Sequence, residues 1–503
     1  MFKKFFITMA VAFAFFSAKA QVYKGNNQVA ILPSDSDKDI IRKAATVTPS
    51  VRQLRWQQLE LTAFFHFGVN TFTNKEWGDG TEDEKVFNPT NLDARQWIRT
   101  MKEAGFKQVI LTTKHHDGFC LWPSKYTEHS VKNSLWKNGK GDVVKEVSDA
   151  CHEYGLGFGV YLSPWDRNNP NYGLGQPYDE HFMNQLTELL TQYGKVDEVW
   201  FDGAYGMGKN DKKQEYNFDA WYAHIRKLQP EATIVIMGPD VRWVGTESGY
   251  GRETEWSVIP ADDNMLKKIA DNSQKDVAFA PVGDKTAEDL GSRKEILKAK
   301  GLVWYPAETD VSIREGWFWH ADQDDKIKSV DKLMDIYFSS VGRNSVLLLN
   351  VPPDKTGQIN KNDIKVLKEW TAKRQKIFAT NLAKGAIVKT SNGKNGKAIL
   401  DGIYKTNYIA SPKDTTATIA LTLKRAQTFD VLSLQENITI GQRIEKFVLE
   451  YKEGNKWKKA TEGTTVGYKR LLRFNPVKAK DVRLRILSSR LNPTISAFGL
   501  YKQ

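Results

Sequence analysis

From Leu61 to Asn350 the chain alternates short apolar, β-branched runs with stretches of helical period. This rhythm constrains the fold more than any other feature. Each apolar run needs burial on both faces, which parallel strands covered by helices provide. Strands are predicted at Leu61–Gly68, Gln108–Lys114, Gly157–Leu162, Val199–Asp202 and Thr233–Met237. Helices between them are predicted at Asp93–Ala104, Asp142–Tyr154, His181–Tyr193 and Ala220–Leu228. Further strands are read at Asp276–Ala280, Leu302–Tyr305 and Ser345–Asn350, and further helices at Lys332–Val341 and Asn362–Phe378. About eight strands fit an α/β fold of the (β/α)8 TIM-barrel type. An open doubly wound sheet is the alternative, and the lack of a Gly-rich loop after the first strand weighs against it.

The 503 residues divide into four parts. Residues 1–20 carry Lys3 and Lys4, an apolar Phe5–Phe16 run and Ser17-Ala-Lys-Ala20, the layout of an export signal cleaved before Gln21. The apolar run falls short of the roughly 20 residues of a spanning helix. A periplasmic or secreted protein is expected. Residues 21–50 form a polar leader and residues 51–380 the barrel. Over residues 385–503 helical period gives way to short alternating runs, the pattern of an all-β sandwich. Cys120 and Cys151 are placed on the order of 15 Å apart, too far for a bridge, so two free thiols are predicted. The net charge is +13, but the basic residues are dispersed and no nucleic-acid module is present, so nucleic acid is not an expected partner.

Polar residues recur where strands end. His66 lies at the tip of the first strand, His115, His116 and Asp117 at that of the second, Tyr161 near the end of the third, and Asp202 at the end of the fourth. In a βα-barrel that end opens into the active site. A carboxylate on an apolar strand end is costly unless a partner meets it, although capping of the next turn also accounts for one. Three histidines and an aspartate could hold zinc. Against that, the adjacent His115 and His116 are expected to face opposite ways on a strand. Core histidines bonded to backbone are the plainer alternative. Glu76, Trp77 and Trp122 fall in loops on the same face. Arg242, Trp243 and Glu247 are placed on a top loop after the fifth strand, with Glu253 and Glu255 as competing acids. Glu308, Asp310, Trp317 and Trp319 are placed after the seventh strand. Two carboxyls across one bond are what glycoside hydrolysis needs, and their spacing sets its stereochemistry.

Taken together, His66-Phe-Gly, Glu76-Trp77, Lys114-His-His-Asp-Gly-Phe119, Trp122-Pro-Ser, Tyr161-Leu-Ser-Pro, Trp200-Phe-Asp202-Gly and Leu347-Leu-Leu-Asn-Val-Pro-Pro resemble the α-L-fucosidases of glycoside hydrolase family 29, as found in gut Bacteroidota. The resemblance implies a retaining mechanism, with Asp202 as nucleophile and no cofactor or metal. It implies that His66, Glu76, Trp77, His115, His116 and Tyr161 surround the fucose, with Arg242 and Trp319 also assigned to substrate binding. The stretch Arg242–Glu247 is similar to the subgroup acting on branched α-1,3/1,4-linked fucose, which implies Glu247 as acid/base, with Glu255 as the fallback. Thr246 stands where that subgroup has Asn. Fucosylated oligosaccharides or glycoconjugates are the implied partners. A fucosidase of broader α-1,2/1,6 or aryl-fucoside preference, a non-catalytic glycan-binding protein and a zinc hydrolase remain as alternatives.

Overall fold

The computed structural model describes residues 23–261 and 289–503. The proposed export signal and the strand read at Asp276–Ala280 lie outside the described residues. Eight parallel strands form one sheet that curls into a barrel. They are β1 (Leu61–Phe65), β2 (Gln108–Lys114), β3 (Gly157–Leu162), β4 (Glu198–Phe201), β5 (Thr233–Ile236), β6 (Arg242–Trp243), β7 (Ala307–Ser312) and β8 (Val346–Asn350). The order of pairing is β5-β4-β3-β2-β1-β8-β7-β6. A single parallel bridge, Val235 to Val241, links β5 to the start of β6 and nearly completes the ring.

Local chemistry sets the helix ends. Asp93 caps Ala94–Glu103, Asp142 caps Val143–Tyr154, Asn217 caps Phe218–Leu228 and Ser329 caps Val330–Ser339. The second of these stops at Gly155, whose left-handed backbone suits glycine. The helix expected at His181–Tyr193 instead begins at Gln176, with Pro177 in its first turn. Trp97, Ile98 and Met101 bury one helical face against the barrel. Losing a side chain as large as Trp97 would cost about 3–5 kcal/mol.

Two expectations are corrected. The run Leu302–Tyr305 does not belong to the barrel. Gly301–Trp304 pairs antiparallel with Gln28–Ala30 and Val258–Pro260 in a separate three-stranded sheet. The seventh barrel strand is Ala307–Ser312, so Glu308 and Asp310 lie within it rather than after it. Acidic side chains at alternate positions disguise this strand as a loop, because they face the barrel interior. Likewise Arg242 and Trp243 are strand residues, in a strand two residues long.

After the helix Lys361–Phe378 come antiparallel strands built around Ala417–Gln435 and Arg470–Ser489. Ala417, Ile419, Leu421 and Leu423 alternate inward to form its core. This domain is tied to the barrel. Lys469 pairs with Glu60 at 2.5 Å, and the Leu471 N–H donates to the Gly342 carbonyl at 2.9 Å. Cys120 and Cys151 are buried and unpaired.

The barrel interior holds two fully buried carboxyls, Glu198 and Glu308. Glu198 accepts from the Trp56 indole at 3.0 Å and from Gln108 at 2.7 Å, and Glu308 accepts from the Trp200 indole at 2.8 Å. Burial pushes Glu198 up to about 8 and Glu308 well above its ordinary range, the latter helped by Glu198. The folded state therefore keeps protons that the unfolded chain releases near pH 4.3. That stability is complete below about pH 4.3 and is lost as pH climbs through about 8. Glu308→Gln, which cannot ionise, should lose less melting temperature between pH 6 and pH 9 than the wild type does. Parallel curves of melting temperature against pH would refute this account.

Candidate active site

The C-terminal ends of the strands open into a pocket of about 500 Å³. Asp202, one residue past β4, lies in its wall with its side chain 24% exposed. The Tyr161 hydroxyl donates to Asp202 Oδ2 at 2.9 Å, and the Ala204 N–H donates to Oδ1 at 2.7 Å. One donor on each oxygen fixes the plane of the carboxylate. Tyr161 is itself clamped, stacked on Trp200 at 5.2 Å between ring centres.

The histidines His66, His115 and His116 line the same pocket. Asn350, at the end of β8, donates its amide to the Trp317 carbonyl at 2.7 Å and to Ser312 Oγ at 2.9 Å. Its oxygen therefore faces His66 and takes the ring Nδ1 at 2.9 Å, which makes Nδ1 the protonated nitrogen. Burial pushes His66 down to about 3, so the ring is neutral and offers Nε2 as an acceptor. His116 is fixed the same way. Ser163 Oγ donates to the Trp165 carbonyl at 2.6 Å and so accepts from His116 Nδ1 at 2.7 Å. His116 Nε2 lies 3.9 Å from Asp202 Oδ2. Burial lowers His116, partly opposed by the charge of Asp202. Two neutral rings thus present acceptors beside a carboxylate, an arrangement suited to the hydroxyls of a sugar.

His115 lines the pocket too, its ring centre 4.1 Å from that of His116. The expectation that the two would face opposite ways fails because both lie past the end of β2, where pleat alternation no longer applies. Asp117 serves the turn instead, accepting the Phe119 N–H at 2.7 Å. Among the described residues, no group of three or more His, Cys, Asp or Glu side chains is disposed to hold a metal ion.

Glu76 lines the pocket and also clamps a loop. Its carboxylate accepts the Trp317 N–H at 2.8 Å and the Phe318 N–H at 3.2 Å. The Trp317 indole donates in turn to Glu247 Oε2 at 3.1 Å. Glu247 meets solvent at the pocket mouth, but protein crowds its other sides. That desolvation, with the charges of Asp202 and Glu76 against the indole bond, pushes it up to about 7. Trp77, 45% exposed, stands at the entrance edge-on to His116.

Four placements differ from expectation. Arg242 does not reach the pocket. It is buried, donating to the Tyr305 carbonyl at 3.0 Å and pairing with Glu255. Glu255 is thereby buried outside the pocket, also within reach of Arg252 at 3.5 Å. Trp319 turns away and donates to Asp324 at 3.2 Å, while Trp317 occupies the pocket wall. Trp122 is buried, donating to Glu188 at 2.8 Å. Asn350 and Ser163 went unremarked as site residues. The signal for Asn350 was available, since it ends an apolar strand just as Asp202 does.

A pocket at the strand ends of a (β/α)8 barrel, with carboxyls and indoles in its wall, defines a protein of the glycosidase class. Residues 48–373 match the Alpha-L-fucosidase family and residues 383–498 the F5/8 type C domain. The Arabidopsis thaliana Alpha-L-fucosidase 1 is 44% identical over 464 residues, covering 90% of this chain and 87% of its own. The crystal structure of a candidate alpha-L-fucosidase from Bacteroides ovatus aligns with a TM-score of 0.84 at 49% identity, covering 96% of this chain and 78% of its own. A Ruminococcus gnavus fucosidase solved in complex with fucose aligns with a TM-score of 0.80 at 33% identity, covering 96% and 98%. The chain belongs to the alpha-L-fucosidase family and is a glycoside hydrolase acting on fucosylated glycans.

Asn350→Ala should free His66 to rotate and leave its Nδ1 unpaired. A buried donor without a partner costs about 1–3 kcal/mol, which His66 escapes by turning and must overcome to hold its working orientation, so kcat/KM for an α-L-fucoside should fall by up to roughly 5- to 150-fold in a protein that remains folded. An unchanged kcat/KM would show that His66 keeps its place without Asn350.

Proposed function

We propose that the chain is an exo-acting, retaining α-L-fucosidase that releases terminal α-1,3/1,4-linked L-fucose, with Asp202 as nucleophile and Glu247 as acid/base. The observation that carries this reading is the contrast between two carboxyls in one pocket. Asp202 is held by Tyr161 and by a backbone N–H, and it faces the pocket partly exposed. Glu247 accepts from the neutral Trp317 indole and is raised to about 7. One is suited to attack the anomeric carbon, and the other keeps a proton for the leaving oxygen.

In the first step Asp202 Oδ2 or Oδ1 bonds to the anomeric carbon. The glycosidic C–O bond breaks, and Glu247 passes its proton to the departing hydroxyl. The resulting ester removes the charge of Asp202, one of the causes holding Glu247 up. Glu247, now ionised, takes a proton from water as that water displaces Asp202. No cofactor enters this cycle. His66, His115, His116, Glu76, Trp77 and Tyr161, all in the pocket wall, are assigned to the sugar ring. The branched linkage rests on the likeness of the Arg242–Glu247 stretch. Thr246 departs from that likeness, and its hydroxyl accepts the Ser248 N–H at 3.1 Å in the turn that presents Glu247. Export with cleavage after Ala20 rests on the residue pattern of the first twenty positions. No helix among the described residues is long and apolar enough to cross a membrane.

Asp202→Asn should fold normally and lose nearly all turnover. Nuclear magnetic resonance of the wild-type reaction should show α-L-fucose as the first product, and β-L-fucose appearing first would exclude retention. Glu247→Ala should lose roughly 10²- to 10⁴-fold on a Lewis-type trisaccharide and far less on an aryl fucoside, whose leaving group needs little protonation. Wild-type kcat/KM on the trisaccharide should fall above about pH 7, as Glu247 gives up its proton. A flat profile to pH 9 would remove Glu247 from the role.

A further inference from the structure

The pocket holds a further carboxyl for which the mechanism above has no use. Asp310 lies in β7, lines the pocket and is 4% exposed. Its Oδ1 accepts the Trp243 indole N–H at 2.7 Å. Its backbone carbonyl accepts the Gly249 N–H at 3.1 Å, and the carbonyl of Glu308, two residues back, accepts the Val244 N–H at 2.9 Å. Residues 243–249 carry Glu247, and this segment is therefore fastened at both ends to β7 around Asp310. Between those ends the segment makes a tight turn, with the Ser248 N–H donating to Thr246 Oγ1 at 3.1 Å and Glu247 accepting from the Trp317 indole at 3.1 Å. Gly245 and Gly249 adopt positive φ, and the Thr246 and Ser248 hydroxyls bond each other at 2.6 Å.

We propose that Asp310 is a positioning residue for the acid/base, holding the Trp243–Gly249 segment so that the Glu247 carboxyl meets the leaving oxygen. This rests on the reading of Glu247 as acid/base. The indole bond is the side-chain half of the arrangement. It sets Trp243 in the pocket wall, four residues before Glu247, and the backbone bonds continue the constraint to Gly249. The electrostatics agree with this role. Burial, and then the charge of Glu247, push Asp310 well above the ordinary carboxyl range, so it stays a neutral acid. A charged group at that point would oppose the negative charge that Glu247 acquires on giving up its proton. A neutral one does not. Asp310 therefore supplies an acceptor for Trp243 without a second negative charge beneath the acid/base.

The test is a comparison of leaving groups. Asp310→Ala removes the acceptor for Trp243. It should lower kcat/KM on a Lewis-type trisaccharide roughly 30-fold or more, while a nitrophenyl α-L-fucoside loses no more than about 3-fold, because only the first substrate needs a well-placed proton donor. Asp310→Asn keeps a neutral acceptor and should restore trisaccharide turnover to within about 5-fold of wild type. Equal losses on both substrates, or no loss on either, would overturn the proposal. Should Asp310→Ala fail to fold, Trp243→Phe breaks the same hydrogen bond from its other end and should show the same split; equal losses there would overturn it as well. Glu247→Ala is measured alongside. If it shows no split, the reading of Glu247 fails and the proposal fails with it. If it shows one and the Asp310 and Trp243 variants do not, the positioning role alone is wrong.

Discussion

The buried ion pair between Arg242 and Glu255 is the interaction on which the mouth of this barrel depends. The sixth strand is two residues long and meets the fifth through one bridge beside it. Two residues of ladder cannot hold a strand against the entropy of the loops at either end. Arg242 does so from the side, bonded to the carbonyls of Tyr305 and Trp256 at 3.0 and 3.2 Å and to the Glu255 carboxylate. An ion pair buried in this way repays its desolvation only when further hydrogen bonds support it, and these carbonyls supply them. Trp243 and Glu247 follow in the chain, so this side of the pocket wall inherits its position from a contact outside the pocket.

A second dependence runs through Asn350. Its amide is oriented by Trp317 and Ser312, its oxygen orients His66, and the loop of Trp317 is gripped by Glu76. The first and last strands of the barrel and the loop after the seventh are thus joined by side chains at the pocket rim. A sugar entering the pocket meets groups whose donor and acceptor roles are already assigned. This is the preorganisation that a site for a polyhydroxylated ligand requires.

Much of this was legible in the sequence, for a definable reason. Asp202, Tyr161 and His66 end apolar strands, and a polar residue there is conspicuous because burial would penalise it. The helix starts at Asp93 and Asp142 were legible because capping is local chemistry. What stayed hidden depended on contacts remote in sequence. Arg242 looked like a ligand-binding arginine because its partners, Tyr305 and Glu255, lie 63 and 13 residues away. Trp317 and Trp319 could not be told apart, since neither lies in an element whose period would assign a face. The seventh strand was missed because its interior positions are acids, and the alternation expected of a strand assumes that the interior is apolar.

Those interior acids share a chemical pattern with Glu247 at the pocket mouth. Glu198 meets the indole of Trp56, Glu308 that of Trp200, Asp310 that of Trp243, and Glu247 that of Trp317. An indole N–H satisfies one carboxyl oxygen and brings no charge. It lowers the affinity of the acid for its proton only slightly, so burial dominates and all four acids are raised. Behind the pocket, Asp166 shows the opposite outcome. Burial pushes it up, yet Lys114 at 2.9 Å brings it below its ordinary value. Lysine or arginine in place of the tryptophans would favour the ionised form of these carboxyls, as Lys114 does for Asp166. The abundance of tryptophan in this chain thus has a chemical consequence, for an indole donor lets a barrel keep acids inside it without drawing off their protons.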